Sequence, residues 1–216
     1  MILKRPKFWD NINFISLILL PFSLITILFN TLKSLVIKEN KFNLPIICVG
    51  NIFVGGTGKT PLSIYIYNLL KKRGLNPAIV RKYYDSHLDE ISLTKNKVKS
   101  FFCESSRLTS ILNAEKKNNK VIVMDDGLQD ISIKKDVNII CFNSSDLIGN
   151  GFLIPAGPLR ERLRKLKFCQ IIVINGKRNF TFEKQLQMIS KNIKIYQSIY
   201  KIKKIQNLKN KKILAF

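Results

Sequence analysis

The chain has 216 residues, 46% of them hydrophobic, and 37 Lys and Arg against 14 Asp and Glu give a formal net charge of +23. This hydrophobic content excludes an intrinsically disordered chain, and the length is that of one domain or slightly more. The single histidine excludes a histidine-rich metal site within this chain. The charge indicates either an anionic partner or a Lys-rich composition without a partner. No RNP-like or zinc-finger signature is present, so nucleic acid is not expected.

The first element in chain order is an apolar segment. A basic stretch precedes residues 12–29, which carry no charge and are interrupted by Pro21. That run reaches the lower edge of the roughly 17–25 residues that a bilayer span needs, and no small-residue cleavage site follows it. We therefore predict a retained membrane-associated helix, with boundaries 1–37, inserted into or lying in the cytosolic leaflet. The alternative is a buried core helix.

Interfacial side chains are expected around this helix. Aromatic rings belong at the membrane interface and cations near lipid phosphates. The side chains expected there are Lys4, Arg5, Lys7, Phe8, Trp9 and Lys33.

Strands and helices alternate through the rest of the chain, which we place in one domain, residues 38–216. The predicted strands are 44–49, 77–80, 121–126, 137–142, 170–176 and 194–200, with another beginning at KKILAF. The predicted helices are 60–73, 105–117, 182–189 and a basic one in PAGPLRERLRKL, whereas 83–100 is expected to be irregular. Continuous apolar strands alternating with helices predict an α/β fold, a mostly parallel sheet with helices on both faces. The four cysteines form no CxxC pair, so buried reduced thiols are expected.

A glycine-rich loop, VGNIFVGGTGKTP, separates the first strand from the first helix. Glycines let backbone N–H groups approach an anion, and a helix N-terminus attracts negative charge. The general P-loop pattern GxxxxGK[ST] would place its first glycine at Phe53, so that pattern fails by one position while GKT is intact. The candidates for phosphate binding are Gly55, Gly56, Thr57, Gly58, Lys59 and Thr60, and the Thr60 hydroxyl is also a candidate ligand for Mg²⁺. The alternative is an incidental turn.

Two further segments carry charged groups at the ends of predicted elements. VIVMDDG ends a strand with Asp125 and Asp126, which is what a Mg²⁺-nucleotide site needs from a neighbouring strand. Adjacent strand residues point to opposite faces, so we expect only one of the two to ligate; a solvated strand end is the alternative. In PAGPLRERL, Arg160 and Glu161 are expected to open a helix, and an arginine there suits phosphate, although the same pattern also caps helices.

Together, VGNIFVGGTGKTP, VMDDGLQD and GNGFLIPAGPLRE resemble the tetraacyldisaccharide 4'-kinase family, the lipid A 4'-kinases. The off-register glycines match that family's own loop, and the resemblance runs from the apolar helix to Phe216. It implies a P-loop NTPase-like kinase that transfers the γ-phosphate of ATP, with Mg²⁺, to the 4'-hydroxyl of a lipid A disaccharide 1-phosphate precursor. It also implies a monomer at the cytoplasmic face of the bacterial inner membrane, in contact with its lipids.

The resemblance also implies roles for particular residues. Lys59, Asp89 and Arg160 would be catalytic, and Thr60, Asp125, Asp126 and Glu90 would hold the metal. Gln129 and Glu161 would line the site. In HLDEISL, Asp89 and Glu90 stand where the family has GDEP, with Leu88 and Ile91 in place of its Gly and Pro, and RKYYDSH replaces a segment of the SRGYG kind. His87 is expected to be an ordinary loop histidine.

The family continues past LAF into a second α/β domain that carries a histidine and part of the cleft. We therefore expect this chain to be the N-terminal portion of a longer product, or a truncated copy that is not active alone. Two other functions remain open. One is a membrane-associated P-loop NTPase, or inactive remnant, that binds nucleotide without lipid kinase activity. The other is a non-enzymatic protein that binds anionic lipid.

Overall fold

The computed structural model describes residues 5–199. Lys4 and the strand expected at KKILAF lie outside the described residues, so neither prediction is tested. Within this range, seven strands form one sheet: β1 (Ile46–Gly50), β2 (Pro77–Lys82), β3 (Phe101–Glu104), β4 (Val121–Asp125), β5 (Val137–Asn143), β6 (Ile171–Asn175) and β7 (Lys194–Ser198). Every strand pair is parallel, and the order is β3-β2-β4-β1-β5-β6-β7. The predicted α/β fold with a parallel sheet is confirmed.

Five α-helices accompany the sheet: α1 (Phe14–Val36), α2 (Lys59–Lys72), α3 (Leu88–Lys97), α4 (Arg107–Lys116) and α5 (Phe180–Ile189). Short 3₁₀ helices occur at Lys7–Trp9, Asp85–His87 and Leu163–Phe168. The helix predicted at 60–73 is thereby confirmed as α2, and Gly74 follows its end with a φ of 79°, a left-handed conformation that glycine adopts without steric cost.

Two apolar cores cover the two faces of the sheet, because successive strand residues alternate between them. Cys48 and Ile122 belong to the first core, with residues of α4 and α5, whereas Val49 and Val123 belong to the second, with Tyr67 of α2. Helices on both faces were predicted from the continuous apolar strands, and that prediction is also confirmed. Three of the cysteines, Cys48, Cys141 and Cys169, are buried, and all four are free.

The prediction for the segment before α4 is wrong, and one strand there was not predicted. Residues 83–100 are not irregular, because they contain a 3₁₀ turn and the helix α3. Helix α3 has the sequence LDEISLTKNK, of which only Thr94 is buried. The apolar periodicity that would have indicated a helix is therefore weak. Strand β3 was not predicted either; it lies at an edge of the sheet, pairs with β2 alone, and none of its residues is fully buried.

The predicted basic helix in PAGPLRERLRKL is also wrong. Arg160 and Glu161 lie in irregular backbone, and only the 3₁₀ helix Leu163–Phe168 follows. This segment instead runs alongside the glycine-rich loop. The Arg160 N–H donates to the carbonyl of Ile52 over 2.8 Å, and the Val54 N–H donates to the carbonyl of Pro158 over 2.9 Å. These inter-loop hydrogen bonds replace the ones a helix would have made.

The apolar helix α1 begins with a capping box formed by Asn13 and Ser16, and it contains Pro21. It is long and apolar enough to cross a membrane, judged by length and composition alone, and only 11% of its most apolar window is buried. The alternative of a buried core helix is therefore not what the structure shows. Ser23 and Thr26 attach α1 to the domain by donating to the carbonyls of Leu153 and Ile154 over 2.8 and 2.7 Å.

Three of the side chains expected at the membrane interface also have partners in the domain. The Trp9 indole donates to the carbonyl of Pro155 over 2.9 Å, and the Lys33 ammonium donates to the carbonyl of Gln129 over 3.0 Å. Arg5 pairs with Asp146 over 2.6 Å. All three side chains remain partly exposed, so their contact with the lipid interface stays a prediction.

Candidate functional site

The glycine-rich loop has the backbone that a phosphate cradle requires. Gly55 and Gly58 have φ values of 137° and 82°, and Gly58 is the N-cap of α2. The Asn51 amide braces the loop from within by donating to the carbonyls of Phe53 and Gly55 over 2.6 and 3.3 Å. The loop therefore opens directly onto the N-terminus of α2, where Lys59 is the first helical residue.

The far side of the loop is held by strand β6. The Asn175 side chain donates to the carbonyl of Thr57, and the Thr57 side chain is buried. Gly56 is exposed, and an added Cβ there would meet no atom within 4 Å. The six candidates for phosphate binding thus form one continuous turn, which the structure brings to the carboxyl edge of the sheet.

Asp125, at the end of β4, is fully buried beside this loop because β4 pairs directly with β1. Its Oδ2 accepts hydrogen bonds from the Thr60 hydroxyl over 3.0 Å and from Arg81 over 2.6 Å, and its Oδ1 accepts one from Ser63 over 3.0 Å. Burial raises the pKa of this carboxyl above its ordinary value, and Arg81 opposes that shift. Arg81 was not among the predicted site residues.

Asp126 lies one residue beyond β4 and has a φ of 53°. The strand alternation ends there, so the expectation that the two carboxylates point to opposite faces does not apply to this pair. Lys59 Nζ and Arg160 Nη1 lie 3.6 and 3.7 Å from Asp126 Oδ1. Burial, the largest influence, disfavours the charged carboxylate, but Lys59, Arg160, Arg107 and Arg81 together outweigh it and lower the pKa of Asp126.

Arg107, the first residue of α4, is a second arginine that sequence reasoning missed. It is buried, and it donates to the main-chain carbonyl of Asp126 over 2.6 Å and to Asp130 over 3.2 Å. It therefore holds both ends of the DDGLQD turn. The available signal was an arginine opening a predicted helix beside a strand end, but no motif marked it.

Gln129 links this turn to the glycine-rich loop, since its Nε2 donates to the carbonyl of Asn51 over 2.9 Å. A cleft of about 440 Å³ opens beside it. Its lining residues are Lys33, Lys82, Tyr84, Ser86, His87, Arg107, Asp126, Gln129, Asp130 and Arg160. Four of these residues are lysines or arginines and two are aspartates, so the cleft favours an anionic occupant.

A second cavity, of about 240 Å³, adjoins the first and shares Lys33 and Gln129 with it. Apolar groups of α1 and of the following loops, Ile27 and Leu153, line it together with Glu161. Burial raises the pKa of Glu161, although Lys165, 3.9 Å away, opposes the shift. Glu161 therefore lies beside the second cavity rather than in the first.

The two predicted acidic residues of α3 lie in different surroundings. Glu90 pairs with Arg81, which in turn contacts Asp125 and Thr60. Asp89 is exposed, and within residues 5–199 no hydrogen bond or ion pair involves its carboxylate. The structure thus connects Glu90, through Arg81, to the predicted metal ligands Thr60 and Asp125. Asp89 does not line the first cleft, but His87, two residues earlier in the chain, does.

The oxygen donors of this site fit a hard divalent cation. The Thr60 hydroxyl and the carboxylates of Asp125, Asp126 and Glu90 are the ligand types that Mg²⁺ prefers, and Asp126 Oδ1 is buried with no hydrogen-bond partner in the described part of the chain. Within residues 5–199, no group of three or more His, Cys, Asp and Glu side chains is arranged so that it could hold a metal ion together. This agrees with Mg²⁺ sites that use one or two carboxylates and take their other ligands from water and substrate phosphates.

The lowered pKa of Asp126 predicts an acid-dependent stability contribution. Because the folded-state pKa lies below the unfolded value of about 3.9, the carboxylate stabilises the fold above that pH and loses its effect as pH falls through the folded-state value. Asp126→Asn keeps a residue that tolerates positive φ. Denaturant unfolding should show the variant less stable at pH 7, with the difference shrinking below pH 3.8. A constant difference across this range would contradict the assignment.

A parallel sheet with a glycine-rich loop after β1, Lys59 and Thr60 opening the next helix and an aspartate ending the adjacent strand define a P-loop NTPase-type fold. The tetraacyldisaccharide-1-P 4'-kinase family model matches residues 15–100 and 89–216. The chain belongs to that family.

Relatives support the same assignment. A tetraacyldisaccharide 4'-kinase from Pelagibacter ubique (strain HTCC1062) is 40% identical over 205 residues, which cover 93% of this chain and 64% of the relative. One from Rickettsia bellii (strain OSU 85-389) is 38% identical over 181 residues, covering 74% and 54%. The chain therefore spans between about half and two thirds of the length of these relatives.

Two solved structures share the fold. LpxK from Aquifex aeolicus, crystallised in complex with ATP, matches with a TM-score of 0.63 and 21% identity over 86% of this chain and 81% of that one. The hydrogenase maturation factor HypB from Archaeoglobus fulgidus matches with a TM-score of 0.51 and 11% identity over 85% and 89%. At these identities the two likenesses establish the fold.

Proposed function

We propose that this protein transfers the γ-phosphoryl group of ATP to the 4'-hydroxyl of a tetraacyldisaccharide 1-phosphate, a lipid A precursor. One observation carries the proposal. Lys59 of the glycine-rich loop and Arg160 converge on Asp126 at 3.6 and 3.7 Å, and Asp126 and Arg160 line a cleft whose wall also includes Lys33 of the apolar helix α1. The glycine-rich loop and the apolar helix α1 therefore lie near one cleft, which supports a kinase that acts on a lipid.

The nucleotide half of the mechanism uses the glycine-rich loop. The backbone amides of Gly55–Lys59 wrap the β- and γ-phosphates, and the dipole of α2 favours their charge. The ammonium of Lys59 and the guanidinium of Arg160 stabilise the negative charge that spreads over the transferring group. Thr60, with one or two of the carboxylates of Asp125, Asp126 and Glu90, would hold Mg²⁺, which would neutralise charge and orient the phosphates.

The acceptor half uses the opposite side of the cleft. The cavity beside Ile27 and Leu153 is apolar on one wall, and Lys33 lies at its junction with the nucleotide cleft. This arrangement suits a lipid with an anionic sugar headgroup. Asp89, at the first turn of α3, is the proposed carboxylate that orients the acceptor hydroxyl and takes its proton late in the transfer. Gln129 and Glu161 line the second cavity, where the acceptor would lie.

Membrane attachment through α1 is part of the proposal, at the cytoplasmic face of the inner membrane, where ATP is present. Deleting residues 1–33 should release the protein from sedimented membranes, because the exposed apolar surface of α1 is the proposed anchor. The paired substitution Leu24→Lys and Phe29→Lys, at exposed positions of α1, should weaken sedimentation without deleting the helix. The control is Leu112→Lys, an exposed leucine outside α1. Unchanged sedimentation of the first two proteins would contradict the anchor.

The test of the function is transfer of radiolabelled γ-phosphate from ATP to purified tetraacyldisaccharide 1-phosphate in mixed micelles. It uses the complete gene product, defined by sequencing the gene past the codon for Phe216. Labelled lipid and ADP in equal amounts, formed only when acceptor is present, are the expected result. ADP formation that is independent of acceptor, without labelled lipid, would instead support a membrane-associated P-loop NTPase. If neither labelled lipid nor ADP forms, the result would support a nucleotide-binding remnant.

A further inference from the structure

Arg81 is the fifth residue of β2 and one of the most buried charged side chains in the described chain, with 2% of its surface exposed. Strand β2 pairs with β4, so the carboxyl ends of the two strands meet beside the glycine-rich loop. A buried arginine in a strand is costly unless its charge is compensated. Its partners therefore show what it does.

The guanidinium makes two sets of contacts. Nη1 donates to Thr60 Oγ1 over 3.1 Å and to Asp125 Oδ2 over 2.6 Å. Nη2 donates to Glu90 Oε2 and lies 3.1 Å from His87 Nδ1. One cation thus engages three of the four residues whose oxygens fit Mg²⁺.

We propose that Arg81 is an internal counter-cation that holds the metal-ligand oxygens in the nucleotide-free protein and leaves the Thr60 and Asp125 oxygens when the Mg²⁺·nucleotide complex binds. The proposal rests on the nucleotide-binding part of the proposed function and not on the lipid acceptor. Its physical basis is that a fully buried carboxylate needs a positive partner, and Asp125 has Arg81 as its ion pair. Two cations on the same oxygens would repel each other strongly at this depth.

Asp125 does not depend on Arg81 for its position. The Ser63 hydroxyl donates to its other oxygen, Oδ1, over 3.0 Å, and Ser63 lies on α2 rather than on β2. The carboxylate therefore stays in place when the guanidinium withdraws. Arg81 supplies charge and Ser63 supplies orientation.

The second set of contacts connects this exchange to α3. His87 and Glu90 lie at the start of α3, and both contact the Nη2 end of the same guanidinium. A guanidinium is planar and rigid, so its Nη1 and Nη2 ends move together. Withdrawal of Arg81 therefore releases Glu90 and changes the first turn of α3, which carries Asp89. Arg81 is a positioning residue that links nucleotide binding to the acceptor side of the cleft.

The test measures metal binding with Mn²⁺ as the probe, counted by electron paramagnetic resonance, with the complete gene product and saturating ADP. Arg81→Met should bind Mn²⁺ about 5- to 50-fold more tightly than the parent, because the competing cation is gone. Binding of ADP in the presence of EDTA should not become tighter. Arg178→Met, which removes an ion-paired arginine from the surface beside α5, is the control and should leave Mn²⁺ binding unchanged. Equal or weaker Mn²⁺ binding by Arg81→Met would overturn the proposal.

A second pair of measurements keeps the proposal testable if Arg81→Met does not fold. His87→Ala removes one anchor of the guanidinium without touching Thr60, Asp125 or Glu90, and it should tighten Mn²⁺ binding by about twofold. In the parent protein, amide hydrogen exchange in Leu88–Lys97 should accelerate when Mg²⁺ and ADP are added together. If neither Mn²⁺ binding by His87→Ala nor amide hydrogen exchange in the parent protein changes, the proposal that Arg81 gives way to the metal is overturned. Mn²⁺·ADP binding without lipid phosphorylation would contradict only the acceptor part of the proposed function, whereas no Mn²⁺·ADP binding by any variant would overturn both.

Discussion

Lys59→Ala is expected to lower acceptor-dependent ADP formation by about 10²- to 10³-fold. Lys59 opens α2 directly after the glycine-rich loop, and its ammonium lies 3.6 Å from Asp126 with only 11% of the side chain exposed. A cation held in that position stabilises charge that develops in the transition state, and water cannot replace it in a partly buried cleft. The measurement is the initial rate of ADP release with and without tetraacyldisaccharide 1-phosphate.

Lys71→Ala is the matched control for this variant. Lys71 lies on the same helix, at its far end, and is exposed, so the substitution removes the same charge without touching the cleft. Its rate should equal that of the parent protein. If Lys59→Ala keeps the parent rate, the glycine-rich loop is not where the transferred phosphoryl group is bound, and the kinase proposal loses its nucleotide site.

The parts of the site that could be predicted from sequence are those that depend on strand order alone. The carboxyl ends of parallel strands lie at one edge of a sheet, so the turn after β1 and the aspartates after β4 had to come close once both strands were predicted. Lys59, Thr60 and Asp125 followed from that reasoning. The structure shows Thr60 and Asp125 joined by a hydrogen bond of 3.0 Å.

The parts that could not be predicted depend on contacts between loops. Arg160 was expected on a helix, but its N–H pairs with the carbonyl of Ile52, and this long-range hydrogen bond is not encoded in local propensity. Arg81 was missed although it is the first residue of RKYYDSH, because that segment lacks the glycines of the SRGYG kind of segment that it replaces. The available signal was a charged residue inside a buried strand, which is expensive and therefore functional or paired.

Replacing Asp89 with asparagine is expected to lower kcat by about 10²- to 10⁴-fold, the usual contribution of a positioned general base. The KM for ATP should change little, because Asp89 is exposed on α3 and, among the described residues, no hydrogen bond or ion pair joins its carboxylate to the glycine-rich loop. Its neighbour Glu90 contacts Arg81. In the proposed function, Glu90 would therefore serve the nucleotide side and Asp89 the acceptor side. The measurement is steady-state kinetics with each substrate varied in turn.

Asp85→Asn is the control for charge and location. Asp85 is an exposed aspartate four residues before Asp89, and it accepts a hydrogen bond from the Tyr83 hydroxyl over 3.0 Å. Its removal should leave kcat unchanged. If Asp89→Asn also leaves kcat unchanged while Glu90→Gln lowers it and raises the requirement for Mg²⁺, then α3 contributes only to the nucleotide side. The acceptor hydroxyl would in that case need a base from outside α3. Asp126 would be a poor candidate, because Lys59 and Arg160 hold its carboxylate in the charged, ion-paired form.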